Sequence, residues 1–318
     1  METMKAYVCS RYGGPEVLRL EECRKPVPAD GEVLIRVGAT SVTNSDIFIR
    51  SSRVQPSMMI PFRLMIGITG PRRKIIGQVF AGEVEGKGSR VSGLNIGDRV
   101  FGLTGFSLGA YGEFLTLRER ASKQGCVARM PRNLGFEEAT WAAYGGLLAL
   151  QSLEKLTLRK GDRVLLYGAA GTSGTFALQY LKILGVEVTC VCREDKFEIL
   201  RSLGADKLID YTRKDAPEAL ESYSAVLDCV GRAKTSELKL RSKEHVADPK
   251  SWLSIDDEAL VLSSRRLDRI TALTESGKIR AVNDRVYRFE QMAEAHRYVE
   301  AGRKTGNVAV TVRPEEEL

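Results

Sequence analysis

The residues with the clearest chemical purpose form one run, Tyr167-Gly168-Ala169-Ala170-Gly171-Thr172-Ser173-Gly174. It follows an apolar strand pattern, Arg163–Tyr167, and opens a helical one, Thr175–Leu184. That is the context a dinucleotide-binding loop requires. Ala169, Gly171 and Gly174 stand at the three small positions of an A-x-G-x-x-G spacing. The first permits a tight turn, the second lets backbone approach a pyrophosphate, and the third lets helix pack on strand. Thr172 and Ser173 complete the loop, and the helix that follows offers the N–H groups of its N-terminus to an anion. A glycine-rich turn with no ligand would carry the same letters, so the neighbouring strand end has to be read with it.

The second strand, Glu187–Cys192, ends in Cys192-Arg193. NAD sites usually place Asp or Glu there to hold the ribose 2′-hydroxyl. Arg193 and Lys196 instead suit a 2′-phosphate through charge-assisted hydrogen bonds. The pattern therefore favours NADP(H), with two alternatives open. Both cations could merely decorate a helix start, and Glu194 or Asp195, turned inward, would favour NADH.

The remaining reactive side chains are few. His245 and His296 are the only histidines. His296 sits in a helical pattern and reads as structural, and His245 lies among charges and reads as solvated. A Ser-His-Asp hydrolase is therefore not expected. Asp46 would either orient the pocket loop or cap a helix, and the structural role is favoured. Six cysteines, at 9, 23, 126, 190, 192 and 229, include no C-x-x-C pair. Buried thiols in a reducing compartment account for them, and no metal site is expected.

The elements that must position these groups fall into two sets. In the first ~125 residues, Glu32–Val37, Gln78–Val84 and Asp98–Phe101 alternate as strands between glycine-rich turns. From Pro131 the pattern changes. Phe136–Leu153 reads as a helix, and strands and helices then alternate through Ala225–Cys229, as βαβ units do. Arg232–Asp257 is polar, with Trp252–Ile255 its one strand candidate. Arg265–Ser276 and Phe289–Ala301 read as helices and Val308–Val312 as a closing strand. The acidic tail Pro314–Leu318 reads as frayed chain. No apolar run is long enough to span a bilayer. Met1–Tyr7 lacks the layout of a signal peptide, so a cytoplasmic protein without a membrane partner is expected. The net charge is +7, yet the densest basic cluster, Arg72-Arg73-Lys74, has no interleaved aromatic residues. A nucleic-acid partner is therefore not expected.

Read together, these segments resemble the medium-chain dehydrogenase/reductase superfamily along nearly the whole chain. The resemblance rests on Met4-Lys5-Ala6 with Gly14-Pro15-Glu16-Val17-Leu18, on Gly97–Gly102, on Gly112-Glu113-Phe114 and on Gly168–Gly174. It continues in Leu203-Gly204-Ala205-Asp206, Ile209-Asp210-Tyr211, Ala295–Glu300 and Gly306-Asn307-Val308. It implies an α/β chain in two domains. Residues 1–127 and 279–318 would form a GroES-like, β-rich catalytic domain, and 128–278 a doubly wound Rossmann cofactor domain. Zinc-dependent members hold zinc with Cys, His and a further Cys or Asp. Here Thr43, Gln78 and Tyr144 stand at those positions, and neutral Thr, Gln and Tyr are poor zinc ligands. The four-cysteine structural lobe is absent as well. The chain thus resembles the zinc-free quinone and enone reductases.

That branch implies hydride transfer from NADPH to a quinone or α,β-unsaturated carbonyl. It implies Lys196 and Tyr211 at the 2′-phosphate, Val230 and Asn307 as further cofactor contacts, and Thr43, Asn44 and Tyr144 as catalytic candidates. Zinc-free alcohol or aldehyde chemistry, and a dinucleotide-sensing or RNA-binding protein with little turnover, remain the alternatives. Relatives often form homodimers through a last apolar strand of the cofactor domain. No such strand is evident between Gly231 and Arg265.

Overall fold

The computed structural model describes residues 2–54, 56–232 and 234–313, so the acidic tail lies outside the described residues. In chain order the first half contains β1 (Thr3–Cys9), β2 (Leu18–Arg24), β3 (Glu32–Ser41), α1 (Asn44–Ser51), α2 (Pro56–Ile66), β4 (Val79–Lys87), β5 (Arg99–Leu103), β6 (Phe114–Arg118), β7 (Cys126–Arg129) and α3 (Phe136–Leu153). The second half contains β8 (Arg163–Tyr167), α4 (Thr172–Ile183), β9 (Glu187–Cys192), α5 (Phe197–Ser202), β10 (Lys207–Asp210), β11 (Ala225–Asp228), α6 (Glu237–Arg241), β12 (Trp252–Ser254), α7 (Ser264–Glu275), β13 (Asn283–Arg288), α8 (Met292–Glu300) and β14 (Asn307–Thr311).

The chain divides into two compact units. One comprises Met1–Ala143, Leu262–Ala272 and Asn283–Leu318, the other Tyr144–Val261 and Leu273–Val282. These bounds differ from the expected 127/128 and 278/279, and hydrogen bonds explain why. The first turns of α3 are tied into the β-rich unit, where Thr311 Oγ1 donates to Glu137 Oε1 at 2.6 Å and Asn307 Nδ2 donates to Thr140 Oγ1 at 2.9 Å. Ser264 and Thr271 of α7 donate to the carbonyls of Val127 and Arg129 at 2.8 and 2.9 Å.

In the β-rich unit β3 is the hub. It pairs antiparallel with β4, β6 and β14, and the sheet runs β13-β14-β3-β4-β5-β7. Alternating Val33, Ile35 and Val37 are fully buried in the core of this unit with Phe80, Val100 and Leu115. Gly38 is required, because a Cβ there would lie 2.6 Å from the Phe136 ring.

The second unit holds a five-stranded sheet in the order β10-β9-β8-β11-β12. Every pair in it is parallel. The first strand stands centrally and the chain winds outward on both sides, as in doubly wound folds, whose ligands bind beyond the strand C-termini where the winding reverses. Here that place lies beyond β8 and β11. Among the described residues no further strand follows β12 in this sheet. No helix of the described residues is long and apolar enough to cross a membrane.

Candidate dinucleotide site

Every loop of the site leaves the C-terminal end of a strand in the second unit. After β8 the chain turns at Gly168, whose φ of +76° is a conformation that suits glycine. The left-handed residue is thus Gly168, one position before the Ala169 that the sequence reading assigned to the turn. Ala169 is fully buried, and its N–H donates to Val191 O at 3.2 Å, which pins the loop to β9.

The two later glycines have different physical reasons. A Cβ on Gly174 would fall 2.4 Å from Gly168 O and 2.6 Å from Ala169 O, so only glycine lets α4 close on the loop. A Cβ on Gly171 would meet only Gly168 O, at 3.4 Å, and Gly171 has an ordinary φ of −78°. The fold leaves that space open. Gly171 is the N-cap of α4 and contributes no side-chain cap, so the first-turn N–H groups face the same opening. The helix dipole also favours an anion there. Thr172 and Ser173 are buried at this first turn.

Two further predicted positions, Val230 and Tyr144, adjoin the loop. Val230, after β11, lies over it, with Cγ2 2.5 Å from where a Gly168 Cβ would stand. Tyr144 precedes Gly145 in α3, and a Cβ on Gly145 would lie 2.6 Å from Thr172 O. The backbone at Tyr144 therefore adjoins the start of α4. At the next strand end Cys192 of β9 is in register with Asp210 of β10, which places Arg193 and Tyr211 side by side. Tyr211 N–H donates to Cys192 O at 3.2 Å.

Arg193 and Lys196 do gather there, around Asp195. Arg193 Nη2 donates to Asp195 Oδ2 at 2.8 Å, and Lys196 Nζ stands 3.3 Å from the same oxygen. The bonded Arg193 guanidinium holds the Asp195 carboxyl below its usual range. Asp195 therefore engages both cations.

Sequence reasoning missed a buried ion pair beneath the loop after β11. Lys239 Nζ lies 2.6 Å from Asp228 Oδ2, and both side chains are at least 95% buried. Lys239 also donates to the carbonyls of Gly231 and Lys234 at 2.6 and 2.8 Å. Asp228 accepts from Val230 N–H at 2.9 Å and from Ser254 Oγ at 2.8 Å. The pair thus fixes the turn that carries Val230. An acid ending the apolar run Ala225-Val226-Leu227-Asp228 was the available signal.

A surface cavity of about 500 Å³ in the same unit is lined by Lys182, Ile183, Lys278 and Arg280 among others. It lies at the C-terminal end of α4, where the dipole opposes an anion.

The β-rich unit holds the other candidates. Thr43 caps α1, with Oγ1 donating to Asp46 Oδ2 at 2.6 Å and accepting from Asp46 N–H at 3.3 Å. This reciprocal capping box commits the hydroxyl proton to Asp46 and gives Asp46 its structural role. Burial pushes the Asp46 carboxyl up to about 6 despite these bonds. Asn44, the next residue, is exposed. Asn307, expected as a cofactor contact, is tied into the β-rich unit through its amide nitrogen. It is 1% exposed, and Nδ2 donates to Thr140 Oγ1 at 2.9 Å and to Asn283 Oδ1 at 3.1 Å, which uses both amide protons. His296 is buried, and burial followed by the nearby Arg50 lowers it to about 3, so it stays neutral. It accepts from Arg50 Nε at 3.3 Å and bonds Tyr111 OH at 3.0 Å, a structural role. Among the described residues no three His, Cys, Asp or Glu side chains converge as metal ligands.

Comparison with known proteins adds independent findings. Residues 29–146 match the family described as alcohol dehydrogenase GroES-like domain, and 203–310 match that described as zinc-binding dehydrogenase. The 2-methylene-furan-3-one reductase of Solanum lycopersicum is 29% identical over 96% of this chain and 79% of its own length. A quinone oxidoreductase of Pseudomonas aeruginosa is 28% identical over 94% of this chain and 97% of its own. The structure of the quinone oxidoreductase from Coxiella burnetii superposes with a TM-score of 0.84, at 24% identity, covering 98% of this chain and all of the other.

Proposed function

Because the chain belongs to the medium-chain dehydrogenase/reductase superfamily, in its quinone-oxidoreductase-like branch, we propose that it is a zinc-independent NADPH-dependent reductase of quinones or α,β-unsaturated carbonyls. The observation that carries the cofactor assignment is the open space at Gly171, facing the N-terminus of α4. A pyrophosphate placed there is held by the first-turn N–H groups. The relatives' names, a furanone reductase and a quinone oxidoreductase, supply the acceptor class.

A bound nicotinamide supplies the hydride. The protein binds, orients and stabilises charge. Thr172 and Ser173 start the helix that takes the pyrophosphate. Val230 and Ala169 bound the loop against which the dinucleotide lies. Arg193, Lys196 and Tyr211 take the 2′-phosphate, and the strand-end acid of an NAD site is replaced by Cys192. Asn44 or Tyr144 donates a hydrogen bond to the acceptor's carbonyl oxygen, where negative charge develops. Thr43, committed to its cap, drops behind them. A conjugated acceptor delocalises that charge and needs no Lewis acid, which fits neutral Thr43, Gln78 and Tyr144 at the positions where relatives place zinc ligands. All six cysteines are free, and burial lifts Cys9 and Cys126 to about 11 and Cys192 to about 12. Inert thiols of this kind suit the reducing cytoplasm.

The cofactor preference is tested by dissociation constants at one stated ionic strength. NADPH is expected to bind more tightly than NADH. Replacing Arg193 and Lys196 by Ala should remove most of that difference, since each charge-assisted bond is worth about 1.5–3 kcal/mol, or roughly 10- to 150-fold. Affinity for NADH should barely move. Equal constants for the two cofactors in the unmodified protein would refute the NADP assignment.

A further inference from the structure

The segment between Asp46 and Glu83 carries six basic residues, Arg50, Arg53, Arg63, Arg72, Arg73 and Lys74, and no acidic one. Arg50 is buried against Glu300, and the other five are exposed. The same segment contains α2, which turns two apolar faces in different directions. Phe62 and Ile66 pack against the core of the β-rich unit. Ile60, Leu64 and Met65 point outward with Ile68 just beyond, and Ile60, Leu64 and Ile68 are 72%, 59% and 65% exposed. Single exposed apolar side chains need no explanation, but several on one short helix do.

The turn that carries Arg72, Arg73 and Lys74 is tied to the end of α2, where Arg72 N–H donates to Ile66 O at 2.8 Å. Arg63 lies on the helix itself, its guanidinium 5.5 Å from the Tyr12 ring centroid. Gly70 rests against the backbone of Arg11, where a Cβ would stand 2.9 Å from Arg11 Cα, and Arg11 adds another exposed cation.

We propose that α2 and the following turn form a docking surface for an anionic lipid bilayer. A bilayer interface satisfies both halves of the patch. The acyl boundary takes the apolar side chains and the headgroup phosphates take the cations. A second copy of the chain, meeting this face across a two-fold axis, would set like charges against each other. A nucleic acid would neutralise the cations but leave Ile60, Leu64 and Ile68 in water. With 11 residues α2 lies on a membrane rather than through it, so the short apolar runs that exclude a membrane span do not exclude this contact. The proposal is independent of the reductase reading, and its test reads binding alone.

The test is cosedimentation with vesicles of phosphatidylcholine alone or mixed with phosphatidylglycerol. The unmodified protein is expected to bind the mixed vesicles at low salt and not the neutral ones, and to release as salt shortens the screening length. Arg72→Ala with Arg73→Ala should weaken binding about 30-fold, at about fivefold per cation. Ile60→Ser with Leu64→Ser should weaken it by about tenfold or more at unchanged charge. All four residues are exposed, so both variants should keep the parent melting temperature. The lipid and salt series on the unmodified protein stands without any variant. No binding to anionic vesicles, equal binding to neutral ones, or preference for a nucleic acid would overturn the proposal. So would a dimer that Ile60→Ser with Leu64→Ser dissociates without any vesicle binding.

Discussion

Gly171→Val should weaken NADPH binding by about 100-fold or more while the protein stays folded. A hundredfold corresponds to about 2.7 kcal/mol. The protein itself tolerates the added carbon, because the first atom of a side chain at Gly171 meets only Gly168 O at 3.4 Å, in a backbone conformation open to any residue. The stability change should stay within about 1 kcal/mol, the scale of a lost capping preference. The branched side chain instead fills the space a pyrophosphate must enter. Gly174→Val provides the contrast. Its Cβ would stand 2.4 Å from one backbone oxygen and 2.6 Å from another, neither of which can rotate away. That variant should lose about 1–3 kcal/mol of stability, as overpacked sites do. NADPH titration and thermal denaturation of both variants check the pair. A folded Gly171→Val protein with parental affinity would show that the loop is not the phosphate site.

Lys239→Met should destabilise the cofactor unit by about 3–5 kcal/mol, the cost of leaving a buried charge without its partner. Asp228 is fully buried, and the Lys239 ammonium beside it is 2.6 Å away. Ser254 Oγ and Val230 N–H would still donate to the carboxylate, so the loss should fall short of expelling it. Adding Asp228→Leu should recover much of the stability, because an apolar pair of similar volume often replaces a buried ion pair without loss. Urea unfolding of the single and double variants measures both steps. A loss below about 1 kcal/mol in Lys239→Met would mean that the pair does not organise the turn after β11.

The parts of the site readable from sequence were those with a local physical signature. β8, β9 and α3 show period and punctuation, and each spans the residues expected. The open position at Gly171 follows from letters alone once a strand precedes and a helix follows. Long-range relations were not readable. Lys239 reaches Asp228 from a polar stretch with no period, so nothing local paired them. Asn307 lies within a family motif, yet its amide is consumed by Thr140 and Asn283, partners far along the chain. Helix α2 carries Pro61 and outward apolar residues that blur the helical period. Thr43 was one of three candidate donors with Asn44 and Tyr144, and its hydroxyl proton goes to the Asp46 cap.

The most direct test of the central claim is NADPH oxidation with a panel of quinones and α,β-unsaturated carbonyls, in the presence of a metal chelator. Turnover of at least one conjugated acceptor is expected, undiminished by the chelator and absent with simple ketones. Failure to oxidise NADPH with any acceptor, or activity that the chelator abolishes and zinc restores, would contradict it.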